Sequence, residues 1–99
     1  MKLSKAQIRQ LKGQGHHLKP VVMIGQAGIS DNIINELGIA LDHHELVKIR
    51  IFGADREEKP AILETLCQRS QALLIQSLGH TALLFRRNTK KPKIALVNK

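Results

Sequence analysis

The sequence has few cysteines, few aromatic residues and no long hydrophobic run. Cys67 is its only cysteine, so we expect neither an internal disulfide nor a cysteine-rich zinc site. Tryptophan and tyrosine are absent, and the two phenylalanines offer few rings for stacking on bases. No apolar run approaches the roughly 20 residues that span a bilayer, and the N-terminus lacks a signal-peptide pattern. We therefore expect a reduced, cytoplasmic, globular protein with no membrane contact.

Acidic residues are missing from both ends of the sequence. Residues 1–30 carry five Lys or Arg and no acid, and residues 65–99 carry seven and no acid. All eight Asp and Glu lie in residues 31–64, and the formal net charge is +8. A fold that joins the two ends would have one strongly positive face, which attracts polyanions and gains from counterion release. This asymmetry favours a nucleic-acid partner, and composition alone does not separate RNA from DNA.

The N-terminal segment predicts a basic helix. Ser4 and Gln7 have the spacing of a capping box, and the Gly-Gln-Gly sequence after residue 12 predicts the end of the helix. Lys5, Arg9 and Lys12 fall at i, i+4 and i+7, so they share one helical face. We interpret this face either as an ordinary solvated surface or as a surface that contacts phosphates.

Apolar periodicity predicts the remaining elements. Residues 20–24 form a continuous apolar run, which predicts a strand buried on both faces. Residues 45–52 alternate, so Lys48, Arg50 and Phe52 point away from the apolar side chains; Phe52 either faces nucleic acid or packs under a loop. The predicted elements are a helix over residues 4–12, a strand over 20–24, a helix over 31–43, a strand over 45–52, a helix from about 55 to 70, and strands over 72–78 and 81–87.

This order predicts an α/β fold, a two-layer sandwich in which an N-terminal helix is followed by βαβαββ. Right-handed crossovers make the first three strands mostly parallel, and both crossover helices then pack on one face of a four-stranded mixed sheet. Pro60 leaves the start of the third helix open. We expect a single domain over residues 1–99, with a core over about 4–87 and a basic tail over 88–99, in which 94–97 form a short edge strand or lie loose.

Two glycines lie between a predicted strand and the next helix, as Gly25-Gln26-Ala27-Gly28. Glycine permits a positive φ and a close backbone approach, and a helix N-terminus attracts phosphate. The spacing fits neither a P-loop nor a dinucleotide-binding fingerprint. The segment is therefore either a tight strand-to-helix turn or a phosphate-holding loop that resembles the GxxG loop of KH domains. It contains no Lys or Arg, so positive charge must come from neighbours such as Lys19.

Catalytic and metal-binding patterns are weak in this sequence. The pairs His16-His17 and His43-His44 lack the spacing of a helical zinc site. Cys67 falls on the apolar side of a predicted helix, where a thiol is a poor nucleophile. Two alternatives stay open: a small enzyme acting on phosphorylated substrates through the glycine segment with His16 and His17, and a DNA-binding chromosomal protein.

Three blocks of the sequence carry a more specific signal: LKPVVMIGQAG over residues 18–28, HHELVK over 43–48 and DREEK over 55–59. Together they resemble the CRM domain, as in the stand-alone bacterial YhbY-like proteins, over about residues 4–87. The resemblance implies a two-layer α/β domain similar to the C-terminal domain of translation initiation factor three. It also implies RNA binding and, for bacterial members, association with precursors of the large ribosomal subunit. The family's GxxG loop falls on residues 25–28.

We therefore expect a non-catalytic RNA-binding protein, without cofactor or metal, that assists assembly of the large ribosomal subunit. The glycine segment and the start of the following helix would hold a phosphate, and basic side chains would neutralise the flanking backbone, with an arginine pair near the C-terminus as a second contact. The residues expected to contact RNA are Gly25, Gln26, Ala27, Gly28, Lys5, Arg9, Lys12, Lys19, Lys48, Arg50, Arg86 and Arg87.

Overall fold

The computed structural model describes residues 2–25 and 27–98, which form a mixed sheet with helices packed on it. The elements are α1 (Lys5–Gly15), β1 (Val22–Ile24), α2 (Asp31–His44), β2 (Leu46–Ile51), α3 (Lys59–Ser70), β3 (Leu73–Leu78) and β4 (Thr81–Phe85). The four strands lie in the order β1-β2-β4-β3; β1 is parallel to β2, and β4 is antiparallel to both of its neighbours. The predicted α/β class, with its first three strands in one direction, is confirmed.

The main core lies between the sheet and the two crossover helices. Val47, Ile49 and Ile51 of β2 point to this side, where they pack with Leu37 and Leu41 of α2 and with apolar residues of α3. Burying a side chain of this size contributes roughly 1.5–3 kcal/mol, so this cluster stabilises the fold strongly. Both crossover helices cover the same face, as predicted.

The N-terminal helix α1 packs on the opposite face. Leu11 lies in a second cluster with Leu46, Leu83 and Phe85. At its start the capping box is confirmed, because the N–H of each cap residue donates to the other residue's side-chain oxygen, at 3.1 and 2.9 Å. α1 therefore covers part of the second face of the sheet, in addition to the two layers that the sequence predicts.

The predicted end of α1 at residue 12 is wrong, because the helix continues through Gly13 to Gly15. A Cβ atom on Gly15 would overlap Cδ1 of Leu83, so the helix end sits directly on the sheet. This close packing offsets the loss of up to about 1 kcal/mol that a glycine brings to a helix interior.

The first strand is shorter and more exposed than predicted. Val22 and Ile24 are buried, but Met23 is 55% exposed, so the prediction that residues 20–24 are buried on both faces is wrong. The reason is that β1 is an edge strand, and α1 packs on β2 and β3 rather than above it.

The third helix begins at Lys59, later than the start near residue 55 that the sequence predicts. Glu58 Oε1 accepts a hydrogen bond from the N–H of Asp55 at 3.0 Å, but residues 56–58 form a turn and α3 starts only at Lys59. Pro60 then lies in the first turn, where its missing N–H costs no helical bond.

Within residues 2–25 and 27–98, every helix is too short or too polar to cross a membrane.

The C-terminal segment, residues 88–98, folds back so that its last residues lie along α1. Gln7 Nε2 donates to the carbonyl of Val97 at 2.9 Å, and Gln10 bonds both the carbonyl of Ala95 and the N–H of Val97 at 2.8 Å. Ile94 packs against the second cluster. Residues 94–97 are therefore held by side chains rather than by strand pairing, and they do not lie loose.

The carboxylate of Glu45 fixes this C-terminal segment. It is 0% exposed and accepts hydrogen bonds from the N–H groups of Asn88, Lys93 and Ile94 at 2.6, 2.7 and 2.8 Å and from Arg87 Nη1 at 3.1 Å. Burial by itself would raise the pKa of Glu45, but the N–H bonds and the charge of Arg87 outweigh burial and lower that pKa. The Glu45 backbone has a φ of 63°, which costs about 1–3 kcal/mol in a non-glycine residue.

Two glycines of α1 make a matched pair of tests. We expect Gly15→Ala to lower the free energy of unfolding by about 1–3 kcal/mol, because the new methyl group overlaps the buried Leu83. Gly13 has open space around it, so Gly13→Ala should raise the free energy of unfolding by about 0.5–1 kcal/mol. Urea denaturation followed by circular dichroism measures both, and equal effects would contradict the packing of Gly15 on the sheet.

Glu45 should make stability depend on pH. Because its folded-state pKa is lowered, its contribution is present above the unfolded value of about 4.3 and is lost as the pH falls through the folded pKa. We expect Glu45→Gln to be less stable near neutral pH and the gap from the unsubstituted protein to narrow in acid. Urea denaturation between about pH 6 and pH 3 measures the gap, and a gap independent of pH would contradict the assignment.

Candidate nucleic-acid interface

One end of the sheet is uncovered on the face that carries α1. A row of paired residues crosses all four strands there: Met23 pairs with Arg50, Arg50 with Thr81, and Thr81 with Leu78. Paired residues point to the same side of a sheet, and Met23 and Leu78 are 55% and 65% exposed. We call this row, together with Lys48 of the neighbouring row, the open face. It spans about 14 Å from β1 to β3 at the usual strand spacing.

Lys48 lies where the covered part of the sheet meets the open face. It pairs with Leu83, the residue beneath the end of α1. It lines a groove of about 340 Å³ that also includes Lys19 and His44, and a smaller one that includes His16. The structure therefore brings Lys19, Lys48 and Arg50 to one side of the sheet, within reach of a single polyanion.

The glycine loop, residues 25–28, follows β1 at the edge of the open face. The N–H of Gly28 donates to the carbonyl of Gly25 at 3.0 Å, which closes a tight turn. Gly28 has a φ of 80°, a backbone conformation that residues other than glycine and asparagine rarely adopt. Ala27 is exposed, and the predicted contact at Gln26 lies outside the described residues. The positive φ that glycine permits is therefore present at Gly28, and phosphate binding by this turn stays a prediction.

Phe52 packs against the first residue of this loop. Its N–H donates to the carbonyl of Ile24 at 2.9 Å, and a Cβ atom on Gly25 would lie 3.1 Å from its ring. The ring is also 43% exposed. Phe52 therefore packs under the glycine loop with one part of the ring, as one of the two interpretations expects. The other part is open to solvent, and a contact with nucleic acid stays a prediction.

The start of α2 is less favourable to a phosphate than the sequence suggests. The Ser30 hydroxyl accepts from the N–H of Ile33 at 3.2 Å, so this helical donor is already occupied. The carboxylate of Asp31 lies in the first turn and pairs with Arg69 at 2.6 Å. A carboxylate here repels a phosphate, so the start of α2 is less suited to bind a phosphate than a helix start without an acid.

The exposed basic stripe of α1 consists of Lys5, Arg9 and Lys12. At 3.6 residues per turn, it lies on the flank away from Gln7 and Gln10, which hold the C-terminal segment. His16, on the same flank, lines a small groove with Gln76 of β3. The stripe therefore faces β3, whereas the glycine loop follows β1 at the other edge. The open face lies between these two parts, which the structure does not bring together.

The two predicted arginine contacts near the C-terminus are bonded within the protein. Arg86 donates to the carbonyls of Ser70 and Gly38 at 2.8 and 2.9 Å and pairs with Asp42 at 2.8 Å. Arg87 Nη1 pairs with Glu45. Both guanidinium groups thus connect elements of the fold, and we leave them out of the candidate interface.

A groove of about 930 Å³ lies on the opposite face of the sheet, between α3 and β3. Its lining includes Cys67 and His80, and burial raises the pKa of the Cys67 thiol, which disfavours the reactive thiolate. The phosphate-handling enzyme alternative requires a pocket beside the glycine loop with His16 and His17, whereas this groove lies elsewhere. In the part of the chain that the structure describes, no three His, Cys, Asp or Glu side chains are grouped to hold a metal ion.

Sequence reasoning missed the apolar part of the open face. Met23, Leu78 and Thr81 lie in three different strands, and only the register of the sheet aligns them with Arg50. The alternation of β2 was a sufficient signal for Lys48 and Arg50, but the exposure of β1 and β3 depends on their edge positions. Those positions follow from tertiary topology rather than from local periodicity.

Comparison with known proteins identifies the family of this chain. The family model of the CRS1 / YhbY (CRM) domain matches residues 3–86. The chain belongs to the CRM domain family.

Relatives from distant bacteria carry RNA-binding names. The chain is 41% identical to a Haemophilus influenzae protein named "RNA-binding protein", over 98% of this chain and 97% of that one. It is also 41% identical to the Pseudomonas aeruginosa protein "Probable RNA-binding protein PA4753", over 94% of this chain and 89% of that one. A solution structure from Staphylococcus aureus, described as a candidate RNA-binding protein, superposes with a TM-score of 0.82 at 27% identity, covering 97% of this chain and 100% of that one.

Proposed function

We propose that this protein is a non-catalytic RNA-binding protein that associates in the cytoplasm with precursor RNA of the large ribosomal subunit and assists its assembly. Membership of the CRM domain family and the names of the relatives support RNA as the partner. The resemblance to stand-alone bacterial members supports the ribosomal partner. The glycine loop and the open face would make the contacts.

The observation that carries the proposal is the open row Met23–Arg50–Thr81–Leu78 beside the glycine loop. The face that carries α1 is only partly covered, whereas the two crossover helices cover the other face. Here β2 presents two bases, Lys48 and Arg50, between exposed apolar side chains. Such a surface combines charge for phosphates with apolar area for riboses and bases.

Recognition would depend on backbone and shape more than on stacked bases. Phe52 has the only exposed phenyl ring, since the second phenylalanine, Phe85, is fully buried. Affinity would come mainly from phosphates bound by Lys19, Lys48 and Arg50, with release of counterions. The glycine loop would admit the RNA backbone closely, because Gly28 has no side chain and no atom of the described residues lies within 4 Å of its Cβ position.

Crosslinking in living cells tests the ribosomal partner. We expect RNA recovered with the crosslinked protein to be enriched in unprocessed large-subunit ribosomal RNA over mature ribosomal RNA, messenger RNA and transfer RNA. Equal recovery of all RNA classes would contradict the ribosomal assignment while leaving RNA binding in place. Equal affinity of the purified protein for duplex DNA and RNA would instead favour the DNA-binding alternative.

Arg50 and Arg56 form a matched pair for the open face. Arg50 lies in the exposed row, whereas the exposed Arg56 lines the groove on the opposite face. We expect Arg50→Gln to weaken binding to a large-subunit ribosomal RNA transcript about 5-fold to 10-fold and to reduce the slope of log K against log salt by about 0.7–0.9. Arg56→Gln removes the same charge and should change neither. Filter binding over a salt series measures both, and equal losses would mean that net charge alone determines affinity.

Gly28 allows charge to be separated from backbone strain. Asp and Asn have the same shape and tolerate a positive φ to a similar extent, so the two substitutions differ in charge. We expect Gly28→Asp to weaken RNA binding at least about tenfold, because a carboxylate in the loop repels phosphate. Gly28→Asn should retain most of the affinity, and circular dichroism should show both proteins folded. Equal affinity for the two variants would exclude a phosphate contact at this loop.

A further inference from the structure

The segment over residues 88–93, which we call the tail loop, has its backbone held in one conformation. Its N–H groups at Asn88 and Lys93 donate to Glu45. Asn88 Oδ1 accepts from the N–H groups of Lys90 and Lys91 at 3.2 and 3.0 Å, and Asn88 Nδ2 donates to the carbonyl at the end of α2 at 3.0 Å. With this many bonds, a loop at the surface is fixed before any partner arrives.

The tail loop presents three positive charges to solvent. Lys90, Lys91 and Lys93 are exposed, and none of them takes part in an ion pair within residues 2–25 and 27–98. Glu45 beneath them is completely buried, and its charge is offset by Arg87. The carboxylate therefore fixes the loop without neutralising the lysines above it.

The tail loop is continuous with the surface that carries Lys48. Ile94, directly after the loop, lines the groove of about 340 Å³ together with Lys19, His44 and Lys48. Glu45, which holds the tail loop, directly precedes β2, and Arg50 of the open face lies near the end of β2. Glu45 and Arg50 are therefore about 17 Å apart along the strand. A single RNA strand that follows the groove would pass both positions.

We propose that the tail loop is a second binding site for the RNA phosphodiester backbone, separate from the glycine loop and the open face. This inference rests on the proposed function, because it assigns further contacts to the same partner. A loop whose backbone is already ordered loses little further backbone entropy when it binds. The buried Glu45 thus supplies preorganisation, and the lysines supply the charge.

The test uses the full-length protein and a 30-nucleotide RNA hairpin of arbitrary sequence, so its outcome is independent of the ribosomal assignment. The first variant changes Lys90, Lys91 and Lys93 to Gln. We expect the slope of log K against log salt to fall by about 2–3, since each phosphate contact contributes about 0.7–0.9. Affinity near physiological salt should fall at least about tenfold. The three positions are exposed, so the thermal unfolding midpoint should not change.

A second variant tests preorganisation with the charge kept. Asn88→Ala removes the acceptor that orders Lys90 and Lys91 but leaves every lysine in place. We expect its salt slope to match that of the unsubstituted protein, while its affinity falls about threefold to tenfold because the loop must be ordered on binding. A two-dimensional spectrum of the backbone amide N–H groups should show the signals of Lys90, Lys91 and Lys93 shifting when the hairpin is added.

The outcomes separate the two proposals. If the lysine variant keeps the full salt slope while Arg50→Gln reduces it, the tail loop is not an RNA site. The proposal that the open face binds RNA is then retained. Polyglutamate, a polyanion without phosphate, serves as the control ligand. If the lysine substitutions weaken the binding of polyglutamate as much as the binding of the hairpin, the loop is a general anion surface and the inference fails. If the unsubstituted protein binds no RNA, the proposed function fails, and this inference fails with it.

Discussion

β2 is a central strand, and the alternation of its side chains constrains both faces of the sheet at once. Val47, Ile49 and Ile51 form the centre of the core, and the residues between them, Lys48 and Arg50, must point to the other face. A shift of one residue in register would place both bases in the core, where an unpaired charge costs several kcal/mol. The packing that stabilises the fold is therefore also what directs positive charge to the open face.

A second constraint lies at the beginning of the same strand. Glu45 is a buried charge with a strained backbone, and either feature alone would destabilise the protein. Both are compensated because its carboxylate joins β2 to a distant part of the chain, through three N–H groups and Arg87. The C-terminal segment then covers apolar residues that α1 alone leaves exposed. The two ends of the chain, both basic, are thereby brought to the same face of the sheet.

Local signals in the sequence were sufficient for the element order, the capping box at Ser4 and the two faces of β2. They failed where tertiary contacts decide: α1 passes Gly13 because Gly15 packs on Leu83, and β1 is open because it lies at an edge. The roles of Arg86 and Arg87 were not predictable, since their partners lie far away in the sequence. Charge composition indicates that a basic surface exists, but only the fold shows which bases are already engaged.

The outer strand β3 has an irregularity with a consequence for the isolated protein. Its ladder with β4 shifts register between Leu74 and Gln76, and Leu74 and Leu78 are exposed at this edge. A regular, apolar edge strand is a template on which another chain can add a strand, and from there fibrous aggregates can grow. The bulge interrupts the spacing of the free backbone groups, so an incoming strand cannot pair along the full length of β3. The protein can thus keep leucines exposed at its rim with a reduced tendency to self-associate before any partner covers them.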